Sequence, residues 1–165
     1  MVRISLVTAA AFALWCALPA AAFTFSDGTK GVCTVGGVEV VEVDASPEDA
    51  SMVRRTGRAT RVGNGWQITW NQERLKAFAP DLRDFLFFHE CAHARVPTEV
   101  ELEANCAGLI DMRLSGRATP SFETRFRAIV GNAPYWSDTF ECADKWAERE
   151  RAKQPAGVKQ PAGAK

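Results

Sequence analysis

The chain has 165 residues, 47% of them hydrophobic, and its 20 Lys and Arg balance 20 Asp and Glu. This length suits one compact domain with a substantial core, and two domains would be crowded. The balanced charge, with no basic block interleaved with aromatics, argues against nucleic acid as a partner.

The first 22 residues have the pattern of a secretory signal peptide. An arginine precedes an apolar run at residues 4–18, and a proline followed by three alanines ends it. We expect cleavage near Ala22 and a mature chain that begins near Phe23, as a monomer in the periplasm or outside the cell. An uncleaved membrane anchor is the alternative, because the run approaches the length that spans a bilayer. After cleavage no membrane association is expected.

Two β-hairpins are predicted after the signal peptide. The first joins residues 32–35 to 38–43 through two glycines, and the second joins 59–62 to 66–70 through Gly-Asn-Gly. Such turns supply the positive φ that tight hairpins need. The last of these strands carries Trp, Ile and Trp at alternate positions, which is typical of a core-facing strand.

Helices are predicted for most of the remaining chain. Asn71 can cap a short helix that ends before Pro80, and Pro80 itself suits the first turn of a longer one. Thr98 and Glu101 have the spacing of a capping box, so the next helix begins almost immediately. The order of elements predicts an α+β fold in which a small N-terminal β-ribbon precedes a mainly helical bundle.

Two more helices and a tail complete the chain. One helix is expected from Thr119 to about residue 130, and another from Ser137 to Arg149. The segment 153–165 contains the near-repeat QPAGVK, QPAGAK and is expected to be disordered, so that residues 23–152 form the single domain.

Four cysteines remain after the signal peptide: Cys33, Cys91, Cys106 and Cys142. An even number in an oxidising compartment predicts two disulfides, and the sequence permits three pairings. Because Cys91 and Cys106 do not face each other well, we expect each to bridge outward to Cys33 or Cys142. Zinc ligation by these thiolates is the competing use, but they lack the paired C-x-x-C spacing of a structural site.

The only two histidines of the chain lie four residues apart, in His89-Glu90-Cys91-Ala92-His93. On a helix this HExxH spacing places His89 and His93 on one face, where both can bind one zinc ion. Glu90 lies beside that ion and can act as a general base. The alternative is a solvated helix face, but the apolar residues directly before His89 indicate that this helix enters a core.

A third zinc ligand must be a carboxylate or a thiolate, since no third histidine exists. A short turn after His93 predicts two antiparallel helices, which places Glu101 level with His93 and Asn105 level with His89. Glu101 can then bind the metal while Asn105 accepts the other N–H of His89. If the turn does not bring Glu101 close to the metal, Glu103 or Glu99 would have to be the third ligand.

HExxH followed by E-x-x-x-N on the next helix resembles the gluzincin zinc metallopeptidases, of which thermolysin is the familiar member. HECAH with ELEAN is similar to motifs of ImmA/IrrE-like and HtpX-like peptidases, and the size and element order also resemble the minigluzincins. The resemblance covers residues 87–111. It implies a zincin-like fold, Glu101 as the glutamate ligand, and hydrolysis of peptide bonds by zinc-activated water with Glu90 as the base.

The oxyanion stabiliser and the substrate site are less defined. With no further histidine, Tyr135 or Arg113 is the candidate to stabilise the oxyanion. We expect a peptide or protein substrate to bind in extended form and to pair with the strand from Trp66 to Trp70. Two alternatives remain: a binding module with a structural zinc, and a zinc amidase that acts on cell-wall material, with Trp66 and Trp70 stacking on sugars.

Overall fold

The computed structural model describes residues 22–153 and has an α+β architecture. Within this range the strands are β1 (Thr34–Val35), β2 (Val38–Glu39), β3 (Val41–Asp44), β4 (Gly57–Val62) and β5 (Gly65–Trp70). The helices are α1 (Gln72–Lys76), α2 (Pro80–Arg95), α3 (Glu101–Leu114), α4 (Pro120–Val130) and α5 (Pro134–Lys153). Strands therefore precede helices, as predicted. Residues 1–21 of the expected signal peptide (1–22) and the QPAG repeats lie outside the described residues.

Both glycine turns form hairpins, but the first hairpin is shorter than predicted. β1 pairs with β2 and β4 pairs with β5, each antiparallel. The predicted long arm at residues 38–43 breaks at Val40, whose backbone N–H donates to the Cys33 carbonyl at 2.8 Å and whose side chain is buried. After this break β3 pairs parallel with β5. The resulting three-stranded sheet has the order β3-β5-β4, so that β5 is central and β4 lies at an edge.

Helix α2 belongs to two hydrophobic clusters at once. One face of α2 packs on the sheet and the N-terminal segment, in a cluster that includes Phe23, Phe25, Ile68, Trp70 and Phe87. Another face packs on the other helices, in a cluster that includes Phe85, Leu109, Met112, Phe122, Phe126 and Phe140. Burying each such side chain contributes about 1.5–3 kcal/mol, so α2 is held firmly from both sides.

Two disulfides, Cys33–Cys91 and Cys106–Cys142, are formed. The prediction of outward bridges from Cys91 and Cys106 is confirmed. Because α2 contains Cys91 and α3 contains Cys106, each bridge fastens one of these two helices to a distant segment. Two disulfides indicate an oxidising compartment.

The helix boundaries correct two predictions. The capping box predicted for α3 is not formed, because the N-cap residue is Val100 and the Thr98 hydroxyl donates to Glu103 at 2.6 Å. Glu101 is therefore not used as a cap. Helix α5 begins at Pro134, before Ser137, and it includes Lys153, which had been assigned to the tail. In the described part of the chain, no helix is both long enough and apolar enough to cross a membrane.

Candidate metal centre

Helices α2 and α3 are in backbone contact beside His89. A Cβ atom added to Gly108 would lie 2.9 Å from the His89 backbone nitrogen, closer than real Cβ atoms come. Ala92 and Ala104 are fully buried in the same region. These small residues let the start of α3 reach the two histidines, as the antiparallel arrangement requires. A glycine inside a helical pattern is the signal by which Gly108 could have been found.

Three side-chain atoms of the predicted ligands converge at this contact. His89 Nε2 lies 3.2 Å from His93 Nε2 and 3.2 Å from Glu101 Oε2, and His93 Nε2 lies 3.6 Å from the same carboxylate oxygen. The His89 and His93 side chains are only 11% and 12% exposed, while Glu101 is 53% exposed. The group is thus buried on the α2 side and open on the α3 side.

The ring orientation of His93 is set by the loop between the two helices. Its Nδ1 lies 2.8 Å from the backbone carbonyl oxygen of Thr98. A carbonyl oxygen can only accept, so Nδ1 carries the proton and the Nε2 of a neutral ring keeps its lone pair. This partner was not predicted, because a main-chain group leaves no mark in the residue pattern.

The expected partner of His89 is nearby but does not make the expected bond. Asn105 is buried and contributes to raising the pKa of His89, yet its Nδ2 donates to the Tyr135 hydroxyl at 2.5 Å. His89 Nδ1 is buried without a hydrogen-bond partner among the described residues. The structure therefore brings His89, Asn105 and Tyr135 together, with Asn105 engaged by the tyrosine.

The charges of the site act strongly on one another. Desolvation is the largest single effect on His89 and lowers its pKa, but Glu101 and Glu90 outweigh it, so the net shift is upward. The hydrogen bond with His89 lowers the pKa of Glu101. Burial raises the pKa of Glu90, and the two histidines oppose that rise. A site in which a buried carboxyl group and two imidazoles share one small space is suited to a cation.

His89, Glu90 and His93 form a group that could hold a metal ion, since one ligand atom of each lies within 4.8 Å of the others. Glu101 is a second candidate for the carboxylate ligand, besides Glu90. Glu90 Oε2 accepts a hydrogen bond from the Ala59 backbone N–H at 2.9 Å, whereas one Glu101 oxygen contacts both imidazoles. Glu101 is therefore the better placed of the two to complete the set, and Glu90 is held beside it.

Strand β4 passes directly over Glu90. At Gly57 an added Cβ would lie 2.7 Å from both the Cγ and the Oε1 of Glu90, and 2.7 Å from Cζ3 of Trp70. Only glycine fits between these two side chains. Gly57 and Ala59 thus position Glu90 from above, and neither was identified from the sequence, where Ala59 starts a predicted strand and Gly57 precedes it.

A cleft of about 540 Å³ lies between β4 and the loop that precedes α3. Arg55, Arg58 and Arg61 line one wall, and residues 97–99 with Glu101 line the other. The predicted substrate-binding strand, Trp66 to Trp70, is β5, which is paired on both sides and cannot accept another strand. β4 is an edge strand, and its Ala59 N–H points away from β5 to Glu90.

The remaining candidate residues, for the oxyanion stabiliser and for the third ligand, differ in the groups that they contact. The Tyr135 hydroxyl is bonded to Asn105, and burial and then the charge of Glu101 raise the pKa of Tyr135. Arg113 is bound to Glu123 and Asp144 instead, at 2.7 and 2.8 Å. Glu103 accepts a hydrogen bond from Thr98, as described above, and Glu99 lines the cleft.

No protein-family model, no curated protein and no solved structure matches this chain.

Proposed function

We propose that the protein is a zinc-dependent peptidase of the gluzincin type. The observation that carries this proposal is the convergence of two imidazole nitrogens and one carboxylate oxygen at 3.2, 3.2 and 3.6 Å. Without a cation, a proton on His89 Nε2 satisfies the contact with Glu101, but the lone pair of His93 Nε2 still faces the anionic carboxylate oxygen. A cation among them removes this repulsion.

The geometry is compatible with zinc. Zinc binds nitrogen and oxygen at about 2.0–2.2 Å with tetrahedral angles, which makes the edges of the ligand tetrahedron about 3.3–3.6 Å. The observed separations of 3.2, 3.2 and 3.6 Å lie within about 0.1 Å of this range. His89, His93 and Glu101 would hold one zinc ion per chain and leave the fourth position open. When bound, zinc lowers the pKa of a water molecule and polarises a carbonyl group.

Glu90 is the general base in this proposal. One of its oxygens is fixed by the Ala59 N–H, and Gly57 leaves room for the other directly above. Burial raises the pKa of Glu90, so this carboxylate accepts a proton more readily than a solvent-exposed one would. The carboxylate takes the proton of the attacking water and later delivers it to the leaving nitrogen.

Tyr135 is the proposed oxyanion stabiliser. Its hydroxyl accepts from Asn105 Nδ2, so its own proton is available to another acceptor. The phenol is 38% exposed and lies near Glu101. A donor in this place can stabilise the negative charge that develops on the carbonyl oxygen of the substrate.

The substrate would bind as an extended peptide along β4. This edge strand lies over Glu90, which occupies its Ala59 N–H, and its other outward-facing backbone groups can pair with a substrate strand. Arg55, Arg58 and Arg61 are exposed along the cleft, and no ion-pair partner lies within 4 Å of them in residues 22–153. We therefore expect a preference for peptides with acidic side chains.

The two alternatives are less well supported. A structural zinc site does not need a buried carboxylate beside the metal, whereas Glu90 is such a carboxylate here. A cell-wall amidase would gain from a pair of exposed tryptophans, but Trp70 is only 1% exposed and its indole nitrogen donates to Glu42. Only Trp66 lines the cleft.

The test compares the mature protein with Glu90→Gln, using Glu103→Gln as the matched control. All three proteins are expected to bind one zinc ion. Glu90→Gln should lose at least about 10²-fold in kcat on acidic peptide substrates, whereas the control keeps its activity. Equal hydrolysis by wild type and Glu90→Gln would reject the catalytic assignment. Release of peptidoglycan fragments without peptide cleavage would favour the amidase.

A further inference from the structure

The backbone of strand β4 alternates between residues that bond to β5 and residues that point outward. In an antiparallel pair, residues two apart on one strand direct their N–H and C=O groups to the same side. The Ala59 N–H points outward to Glu90, so the N–H and C=O of Arg61 point outward as well. The Thr56 carbonyl, an odd number of residues from Ala59, accepts from the Asn71 N–H just after β5, as this alternation requires.

Arg61 is a place on this edge where both backbone groups can pair with a peptide. Glu90 occupies the N–H of Ala59, which leaves only the C=O there. No backbone group outside the β4–β5 hairpin bonds to Arg61 within residues 22–153. An antiparallel peptide strand added to β4 can therefore exchange two hydrogen bonds with Arg61. Gly57 also points outward, but it has no side chain with which to select a substrate.

The Arg61 side chain lies on the face of β4 that is directed toward Glu90. Side chains alternate along a strand, so Arg61 shares its face with Gly57, whose added Cβ would touch Glu90. Its cross-strand neighbour Trp66 lines the cleft, and the Trp66 ring centroid lies 6.0 Å from Arg61 Cζ. No carboxylate oxygen lies within 4 Å of the Arg61 guanidinium in the part of the chain that the structure describes. Arg61 thus presents an unpaired positive charge on the Glu90 side of the cleft.

Arg58 has the same charge but a different environment. It lies one residue before Ala59 and therefore on the opposite face of β4. Its Nη1 donates to the Ser51 Oγ at 3.3 Å. The pKa of Asp49 is lowered first by hydrogen bonds from Ser51 and to a smaller extent by the charge of Arg58. Arg58 is thus directed toward the turn at residues 50–52, where an acidic side chain of the protein itself is nearby.

We propose that Arg61 determines the substrate specificity of the cleft, by forming an ion pair with an acidic side chain of the peptide residue that pairs with the Arg61 backbone. Residues directly opposite in an antiparallel pair have Cβ atoms about 4.5–5.5 Å apart, so their side chains meet. Arg61 lies two residues, about 7 Å, along β4 from Ala59, where Glu90 is held beside the bond to be cleaved. The selected acidic residue therefore lies about two residues from that bond. This inference rests on the proposed peptidase function and adds the residue and the position that set its preference.

The test uses host peptides in which one Glu is placed at each position in turn around the cleaved bond. Each peptide has a matched partner with Gln at the same position. Cleavage products are identified by mass, and kcat/KM is measured for both members of each pair. The wild type should prefer Glu over Gln by about fivefold at one position, about two residues from the cleaved bond.

Two variants of Arg61 and one matched control assign this preference. Arg61→Gln should abolish it, and Arg61→Glu should favour Lys over Gln at the same position. Arg58→Gln removes one positive charge from the same strand, and the preference for Glu should persist in it. A preference that survives Arg61→Gln, that Arg58→Gln loses equally, or that is spread evenly over many positions would overturn the proposal.

A failure of this inference differs from a failure of the proposed function. If the wild type cleaves both peptides of every pair equally well and Glu90→Gln cleaves neither, the peptidase assignment is supported and the role of Arg61 is wrong. If Glu90→Gln cleaves the peptides as the wild type does, or the wild type cleaves none of them, the proposed function fails and this inference fails with it.

Discussion

Gly57 on strand β4 leaves no room for a side chain above Glu90: an added Cβ would lie 2.7 Å from the Glu90 Cγ. Gly57→Ala should therefore displace the carboxylate from the Ala59 N–H and lower kcat by about 10²-fold, since small misplacements of a catalytic group are costly. Gly65→Ala in the same hairpin is the control, because its nearest contact would be an ordinary 3.9 Å. Steady-state kinetics and zinc content are measured for both variants. Equal activity of the two variants would show that Glu90 does not depend on this contact.

Tyr135→Phe removes one hydroxyl group and keeps the ring. If that hydroxyl stabilises the oxyanion, kcat should fall by about 10²-fold, while KM and zinc content stay close to those of the wild type. Peptide hydrolysis over a range of substrate concentrations gives both parameters. A rise in KM with unchanged kcat would instead assign Tyr135 to substrate binding.

Each disulfide should contribute substantially to stability. Cys106 and Cys142 are 36 residues apart in sequence, and closing a loop of that size stabilises the fold by about 4 kcal/mol through the unfolded state. We expect the Cys106→Ala/Cys142→Ala variant to lose about this much in urea unfolding. Because Cys106 lies in the helix that carries Glu101, the zinc affinity of this variant should fall as well. A loss below about 1 kcal/mol would contradict the prediction.

The ionised Asp27 side chain should stabilise the folded protein near neutral pH and lose this effect in acid. Its pKa is lowered to about 2, first by the Thr29 hydroxyl and then by Arg117. A carboxyl group with a lowered folded-state pKa contributes stability above its unfolded pKa, and that contribution is lost as pH falls through the folded value. Asp27→Asn should therefore have a lower urea midpoint than wild type at about pH 6. The difference should shrink between about pH 4 and pH 2, and a constant difference would exclude a titration effect.

The local patterns of the sequence were sufficient to predict much of the fold. The glycine turns, the proline at the start of α2 and the HExxH spacing each depend on neighbouring residues, and each appears in the structure. The convergence of Glu101 with the histidines followed from a short loop between two helices. The pairing of cysteines followed from the helix faces on which they lie.

Features that depend on long-range packing could not be predicted. The parallel pairing of β3 with β5 brings together strands from separate parts of the chain, and it made β4 the edge strand in place of β5. The roles of Gly57 and Gly108 require knowledge of which side chains or backbone atoms lie opposite. The hydrogen bond of Asn105 with Tyr135 joins residues 30 apart in sequence, whereas the antiparallel helices alone predict His89 as the partner of Asn105.

The hydrogen bond from His93 to the carbonyl oxygen of Thr98 has a consequence for sequence change. No substitution of the threonine side chain can remove this acceptor, so the bond to His93 does not depend on which residue stands at that position. An insertion or deletion between the helices would shift the carbonyl away from the ring. In any related chain, the number of residues in this connection should therefore vary less than their identities.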